Sequence, residues 1–232
     1  MNPLKIYTAG ATREGIGALA GTIERTLGFA IETPTNHGHL ITEQVKARTS
    51  DADIVMVTEA MLAELAEDDL VDQAISAPLG EIRIGAAVRA GAPLPDVSTM
   101  ATFENALRAA ASVVITEAPS GVHLERVFAE LGLTQALEPR LMRFDTGTMV
   151  NLHLAASTME NEIAFGVATE ILFFRDKGVA YAGPLPEEIQ MTNRYVAARL
   201  MRSDRTAEAQ ALMAFLGSDE ARVAFAATGV EI

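Results

Sequence analysis

The sequence predicts an α/β protein built as two βα lobes, and three observations carry that prediction. Apolar runs with strand character alternate with amphipathic stretches of helical spacing along most of the chain. Two strand-like segments, 82–89 and 192–200, bracket a middle block and are placed to carry the crossings between lobes. Helix starts rich in Gly, Ser and Thr follow strands in both blocks.

Taken in order, L-K-I-Y-T-A (residues 4–9) reads as a strand. Residues 12–27 read as a helix, because Ile16, Leu19, Ile23 and Leu27 recur at spacings of three and four, and Gly28 ends it. A second strand is expected over 29–33, a short helix over 40–48, a buried strand (D-I-V-M-V-T) over 53–58 and a helix over 59–66. This βαβαβ order implies a parallel sheet with helices on both faces. A strand over 82–89 (I-R-I-G-A-A-V-R) precedes a turn containing Pro93 and Pro95. Next come a helix near 102–111, a strand at 112–116, a helix over 121–131 stopped by Gly132, a helix over 146–159 and a strand over 163–168. G-P-L-P at 183–186 breaks the pattern, a strand covers 192–200, and helices near 206–216 and 219–227 end the chain. The expected lobes are 1–83 with 191–232, and 84–190. A ligand in such a fold belongs in the cleft between them, at the carboxyl ends of strands.

Composition narrows the function. Asp+Glu number 31 against 18 Lys+Arg, a formal net charge of −13. Nucleic acid and anionic membranes reward a basic surface, so neither is an expected partner. With no cysteine, thiol nucleophiles, disulfides and Cys-based zinc sites are excluded. No apolar run approaches the ~20 residues of a membrane span, so no membrane insertion is expected. The first strand-like run begins at Leu4 with no basic segment and long apolar core before it. As it stands the sequence therefore reads as cytoplasmic, or as periplasmic if a signal peptide was removed.

The strand-to-helix junctions carry the candidate site. They are A-G-A-T-R-E-G (9–15), with Thr12 and Arg13; T-N-H-G-H-L (35–40); E-A-P-S-G-V-H (117–123), with Ser120; and F-D-T-G-T-M (144–149), with Thr148. Each offers the N–H groups and positive dipole end of a helix start, suited to a small anion. Each is equally what an ordinary capped helix looks like. His37 and His39, two of the four histidines, lie one residue apart. That spacing, without Asp, Glu or Cys partners nearby, does not make a metal site. They read either as polar loop residues with Asn36 as cap, or as imidazoles that contact a ligand or move a proton. Of the arginines, Arg13 is the best placed to meet a ligand carboxylate. Glu170 is expected to cap a helix or to act as an acid or base. No cofactor is called for.

These residues resemble the molybdate-binding branch of the type II periplasmic binding proteins. The matching segments include K-I-Y-T-A-G-A, A-D-I-V-M-V, I-G-A-A-V-R-A-G-A-P-L-P-D (84–96), S-G-V-H-L-E-R-V-F-A-E-L-G-L (120–133), A-F-G-V-A-T-E-I-L (164–172), G-P-L-P-E-E-I-Q (183–190) and A-L-M-A-F-L-G-S-D-E-A. The resemblance implies two lobes closing on an anion held by hydroxyls and backbone amides. Its ligand positions fall at Ala11 or Thr12, within Asn36–Gly38, at Ser120 or Gly121, near 149–150 with Val150, and near 167–169 with Thr169. The chain departs from the pattern in having Ala or Thr at the first position, histidine in the second region and no tyrosine at the last. The wording G-P-L-P-E-E-I-Q is similar to a side branch that includes aconitate isomerase. The expectation is a binder of a small anion, with a di- or tricarboxylate favoured over an oxyanion, and with an ABC importer permease as partner if the protein is exported. The alternative is an isomerase that moves a C=C bond by a 1,3-proton shift, with His37 or His39 as base.

Overall fold

In the computed structural model, which describes residues 2–232, strand β1 (Leu4–Ala9) turns Leu4 and Ile6 fully inward. A 3-10 turn at Gly10–Thr12 leads into α1 (Arg13–Leu27), whose Ile16, Leu19 and Ile23 are buried. Gly28, at φ +80°, ends that helix in the left-handed conformation glycine adopts without steric cost. The single strand expected over 29–33 is instead two short ones, β2 (Ile31–Glu32) and β3 (Thr35–Asn36), both parallel to β1. Pro34 lies between them and has no N–H for the ladder. Then come α2 (Gly38–Lys46), the buried strand β4 (Ile54–Thr58) on the other side of β1, and α3 (Glu59–Glu67). The Thr58 hydroxyl caps α3 by accepting from Met61 N at 3.3 Å. Strand β5 (Val71–Arg89) is far longer than the expected 82–89. Pro78 and Gly80 within it read as breakers, and Gly80 is held at φ +122°.

Two compact units result, one of residues up to Ile82 with Asn193–Ile232, the other Arg83–Thr192. In the second, α4 (Met100–Ala109) begins with a reciprocal capping box between Thr99 and Thr102. Strand β6 (Ser112–Thr116) is buried along its whole length, as expected of a strand flanked on both edges and covered on both faces. It is followed by α5 (Pro119–Glu130), α6 (Thr134–Leu137), β7 (Leu141–Phe144), α7 (Gly147–Ala156), β8 (Glu162–Val167), α8 (Ala168–Phe173) and β9 (Val179–Pro184). Strand β6 is parallel to both β7 and β8, while β5 is antiparallel to β8 and β9. The sheet is therefore mixed, not wholly parallel. A strand with no crossover helix joining it to its neighbour is free to run either way. The core packs Phe103 edge-on against Phe165, with ring centroids 5.7 Å apart, beside Leu107, Leu124, Phe128 and Leu185.

The segments 84–89 and 183–190 fold on one another. Gly85 is required, because a β-carbon there would overlap the Tyr181 ring. Beyond β9, the Gln190 carboxamide takes the place of a neighbouring strand. Its oxygen accepts from Ile84 N (2.9 Å) and Met191 N (3.0 Å), and its nitrogen donates to Ile84 O (3.0 Å) and Leu185 O (3.2 Å). All four hydrogen-bonding positions of the amide are used.

The chain then re-enters the first unit as β10 (Thr192–Leu200), antiparallel to β4, and ends in α9 (Thr206–Leu216) and α10 (Asp219–Ala226). Phe225 of α10 lies where a β-carbon on Gly15 of α1 would stand, so glycine permits the close approach. Asp53 ties both ends of the unit together, its carboxylate accepting from Lys5 N (2.9 Å) and Ser203 Oγ (2.7 Å).

Beside it, Asp51 pairs with the Lys5 ammonium and accepts from the Tyr7 hydroxyl at 2.6 Å. These two partners hold its carboxyl at about 2, below the ordinary 3.8. A depressed carboxyl contributes stability that is complete above its unfolded value and is lost as pH falls through the folded one. Asp51→Asn should therefore lower stability near neutrality by what the pair contributes, a small loss because the pair is exposed, and flatten the acid limb between about pH 4 and pH 2 by that same amount. Urea unfolding across that pH range measures this, and an unchanged acid limb would refute it.

Candidate functional site

In the first unit the junctions lie together because the strands that precede them are parallel neighbours. Ala9 stands opposite Asn36 in the β1–β3 register, and β4 flanks β1 on the other side. The turns after β1, β3 and β4 therefore emerge at one sheet edge. At the first, Ala11 is buried and Thr12 wholly so. Thr12, the N-cap residue of α1, makes no side-chain cap bond. Its hydroxyl turns inward instead, 2.7 Å from Thr8 Oγ1 and 3.2 Å from the Ala9 carbonyl that accepts from it. A buried hydroxyl needs such partners, and sequence spacing does not reveal which way it turns. Arg13 Nε donates to Glu14 Oε1 at 3.0 Å.

At the second junction the helix begins two residues earlier than the expected 40, at Gly38. His37 is the N-cap, at φ −67° and ψ 139°, and its side chain makes no cap bond. Asn36, expected as the cap, accepts with Oδ1 from His37 N at 2.9 Å. The N–H groups of the first helical turn, from Gly38 onward, thus face the junction without a side-chain cap. His37 and His39 are exposed and stack with ring centroids 5.6 Å apart and planes 19° from parallel. The helix starts early because Gly38 fits against α3. A β-carbon there would stand 2.7 Å from Met61 Sδ and 4.0 Å from Ala9 Cβ.

In the second unit, the junctions after β6, β7 and β8 likewise share an edge. Thr116 pairs with Phe144 in register, and Glu117 N donates to Phe144 O at 2.8 Å. Helix α5 starts at Pro119, where the missing N–H costs nothing. Ser120 is buried. Gly121 N donates to Ala118 O at 2.9 Å, and a β-carbon on Gly121 would overlap the Thr116 carbonyl. Helix α7 is capped by the Thr146 hydroxyl, which accepts from Met149 N at 3.0 Å. Thr148 is exposed, but Val150 is buried and its N–H already donates to Thr146 O at 3.1 Å. The expected place of Val150 at the site is therefore not matched by an available polar group.

Thr169, in the first turn of α8, is 4% exposed, and among the described residues its hydroxyl has no hydrogen-bond partner. The neighbouring Glu170 places its carboxylate where a side chain on Gly147 would stand, so it lies against the start of α7. That contact is absent from any sequence pattern, since the two residues come from different helices. The remaining histidines have structural partners. His153 bonds the buried Glu162 (Nε2 to Oε1, 3.1 Å) and packs on Phe144. His123 is held between Ile189 and Arg126. Among the described residues no three His, Asp or Glu side chains gather as a metal site.

The two glycines give a test of this packing. Gly121→Ala forces a β-carbon onto a backbone carbonyl and should cost about 3 kcal/mol or more, read from urea unfolding. Gly147→Ala should be destabilising alone but largely restored by adding Glu170→Ala, because the obstruction is a side chain. Additive losses in that double variant would overturn the contact.

With this geometry in place, the likenesses to known proteins have structural meaning. The model of the bacterial extracellular solute-binding protein family matches residues 4–231. The chain is 26% identical over 240 residues to an aconitate isomerase of Pseudomonas sp, covering 98% of this chain and 87% of that one. Among solved structures it superposes on the periplasmic molybdate-binding protein of Azotobacter vinelandii at a TM-score of 0.80, with 16% identity and 99% of both chains covered. It also superposes on the sulfate-binding protein SubI of Mycobacterium tuberculosis at 0.76, with 17% identity, 99% of this chain and 86% of that one. The mixed α/β fold described above is that of the two-lobe periplasmic binding proteins, and the chain belongs to the bacterial extracellular solute-binding protein family.

Proposed function

We propose that the protein binds a small di- or tricarboxylate at these junctions and serves as the extracytoplasmic receptor of an ABC importer permease. The observation that carries the reading is the uncapped start of α2 with its stacked His37 and His39. Helix N–H groups favour an anion there. Two adjacent imidazoles supply donors for carboxylate oxygens and, when protonated, positive charge in a chain whose net charge is −13. In this reading the ligand candidates of the first unit are Asn36 and Gly38, with Ala11 and Thr12 shaping the backbone and Arg13 adding local positive charge; those of the second unit are Ser120, Thr148 and Thr169, with Gly121 and Val150 shaping the backbone. The family's extracellular description supports export.

A second reading is favoured by the aconitate isomerase relative, which spans 98% of this chain. In it His37 or His39 removes a proton from the methylene carbon next to the ligand's double bond. The electron pair becomes an allylic carbanion spread toward a carboxylate, which helix N–H groups stabilise. The imidazolium then returns the proton at the far end of the allyl unit, and the double bond has moved with no net change in atoms or charge.

Ligand at about 100 times its Kd adds roughly 2.7 kcal/mol, raising Tm by roughly 5–10 °C for a chain of this size. Such a shift with citrate, cis-aconitate or trans-aconitate, and none with molybdate or sulfate, is the expected result. The reverse pattern would sink the carboxylate reading. For the second reading, trans-aconitate should change its ultraviolet absorbance on incubation with the protein. A His37→Ala, His39→Ala double variant should abolish that change, and full turnover by it would remove both imidazoles as bases.

A further inference from the structure

A cavity of about 490 Å³ opens in the second unit beside the start of α5, lined by Glu117, Pro119, Val122, His123, Arg126 and Met191. Its size falls in the range of small-ligand sites. Two of its side chains form a built arrangement. His123 Nε2 lies 2.8 Å from the Ile189 carbonyl, and Arg126 Nη2 lies 2.8 Å from His123 Nδ1. A carbonyl only accepts and a guanidinium only donates. The imidazole must therefore be the neutral tautomer with its proton on Nε2. It is anchored on one side to Ile189 and on the other orients Arg126.

Three other arginines are matched to carboxylates. Arg83 pairs with Glu187, Arg143 with Glu125 and Glu138, and Arg194 with Glu81. Among the described residues Arg126 has no carboxylate within salt-bridge distance, and its one side-chain partner is a neutral imidazole. A guanidinium fixed at one nitrogen keeps the rest of its fork for a planar carboxylate. Pro119, Val122 and Met191 give the cavity an apolar wall for a carbon skeleton. Glu117 lines the same space and opposes a second ionised group, so the cavity suits one carboxylate, not a whole polyanion.

We infer that this cavity is a carboxylate subsite in which Arg126 binds the ligand and His123 is the positioning residue that aims it. The inference rests on the carboxylate reading above and deepens it: it names the side chain that meets one carboxylate of the ligand.

The test is calorimetric titration of the full chain with citrate and trans-aconitate. Arg126→Gln should weaken the better ligand by about tenfold to a hundredfold, the size of one charge-assisted contact, with Tm in the absence of ligand unchanged. His123→Phe should weaken it by a smaller factor, and the His123→Phe, Arg126→Gln double variant should bind no worse than Arg126→Gln alone. Arg222→Gln, which removes an exposed cation from α10, should leave affinity as it was. A wild-type protein that binds neither acid overturns the carboxylate reading and this subsite with it. A wild-type protein that binds while Arg126→Gln binds equally well overturns the subsite alone. So do an equal loss in Arg222→Gln, which makes the effect one of net charge, and fully additive losses in the double variant.

Discussion

The second unit depends on one side-chain amide acting as a strand. Gln190 satisfies the N–H of Ile84, which would otherwise be an unpaired donor in the sheet, and adds a second donor to the Ile84 C=O, which also accepts from Leu185 N at 3.2 Å. The consequences run outward through the register. Ile84 stands opposite Val167, and Val167 is the residue from which α8 starts, carrying Thr169 and Glu170. Strand β8 in turn aligns β6, and β6 aligns β7. The edge at which three helices begin is thus indexed from a glutamine remote from all of them in sequence. The segments G-P-L-P-E-E-I-Q and I-G-A-A-V-R are thus two halves of one packing problem.

On the proposed reading, an acidic protein that binds an anion must solve its electrostatics locally. A charge of −13 repels an anion at long range, but salt screens that field beyond roughly 8 Å at physiological ionic strength. What the ligand meets inside that distance is decided by helix starts and by which cations are already paired. Arg83, Arg143 and Arg194 are each paired with glutamates from other elements. The fixed partial charges of the helix starts, with few mobile cations, give a site whose selectivity lies in geometry more than in charge.

Much of the fold was legible from periodicity. Helix α1, with its Ile16–Leu19–Ile23 stripe and terminal Gly28, and strands β1, β6 and β10 read directly from the residues. The failures share a cause. The first half of β5 was hidden because Pro78 and Gly80 look like punctuation until β10 lies beside it, and β7 and β9, mostly half-buried, show no alternation of buried and exposed positions. At the site, position was legible and orientation was not. The junctions follow from strand order, but whether a hydroxyl turns in, as Thr12 does, or is left buried and unpartnered, as Thr169 is, depends on atoms supplied by other elements. The His123–Arg126 pair has a local signal in its i, i+3 spacing on one helix, yet its anchor, the Ile189 carbonyl, is 66 positions away.

The space beside Gly147, filled by the Glu170 carboxylate, shapes the mutational routes open to this protein. Because the Glu170 carboxylate stands where any side chain at 147 would go, the two positions cannot vary independently. Descendants that gain a side chain at 147 must first shorten residue 170, while the opposite order passes through an obstructed intermediate. The path is therefore a one-way gate: chemistry at 170 changes first, and the contour of the α7 start follows.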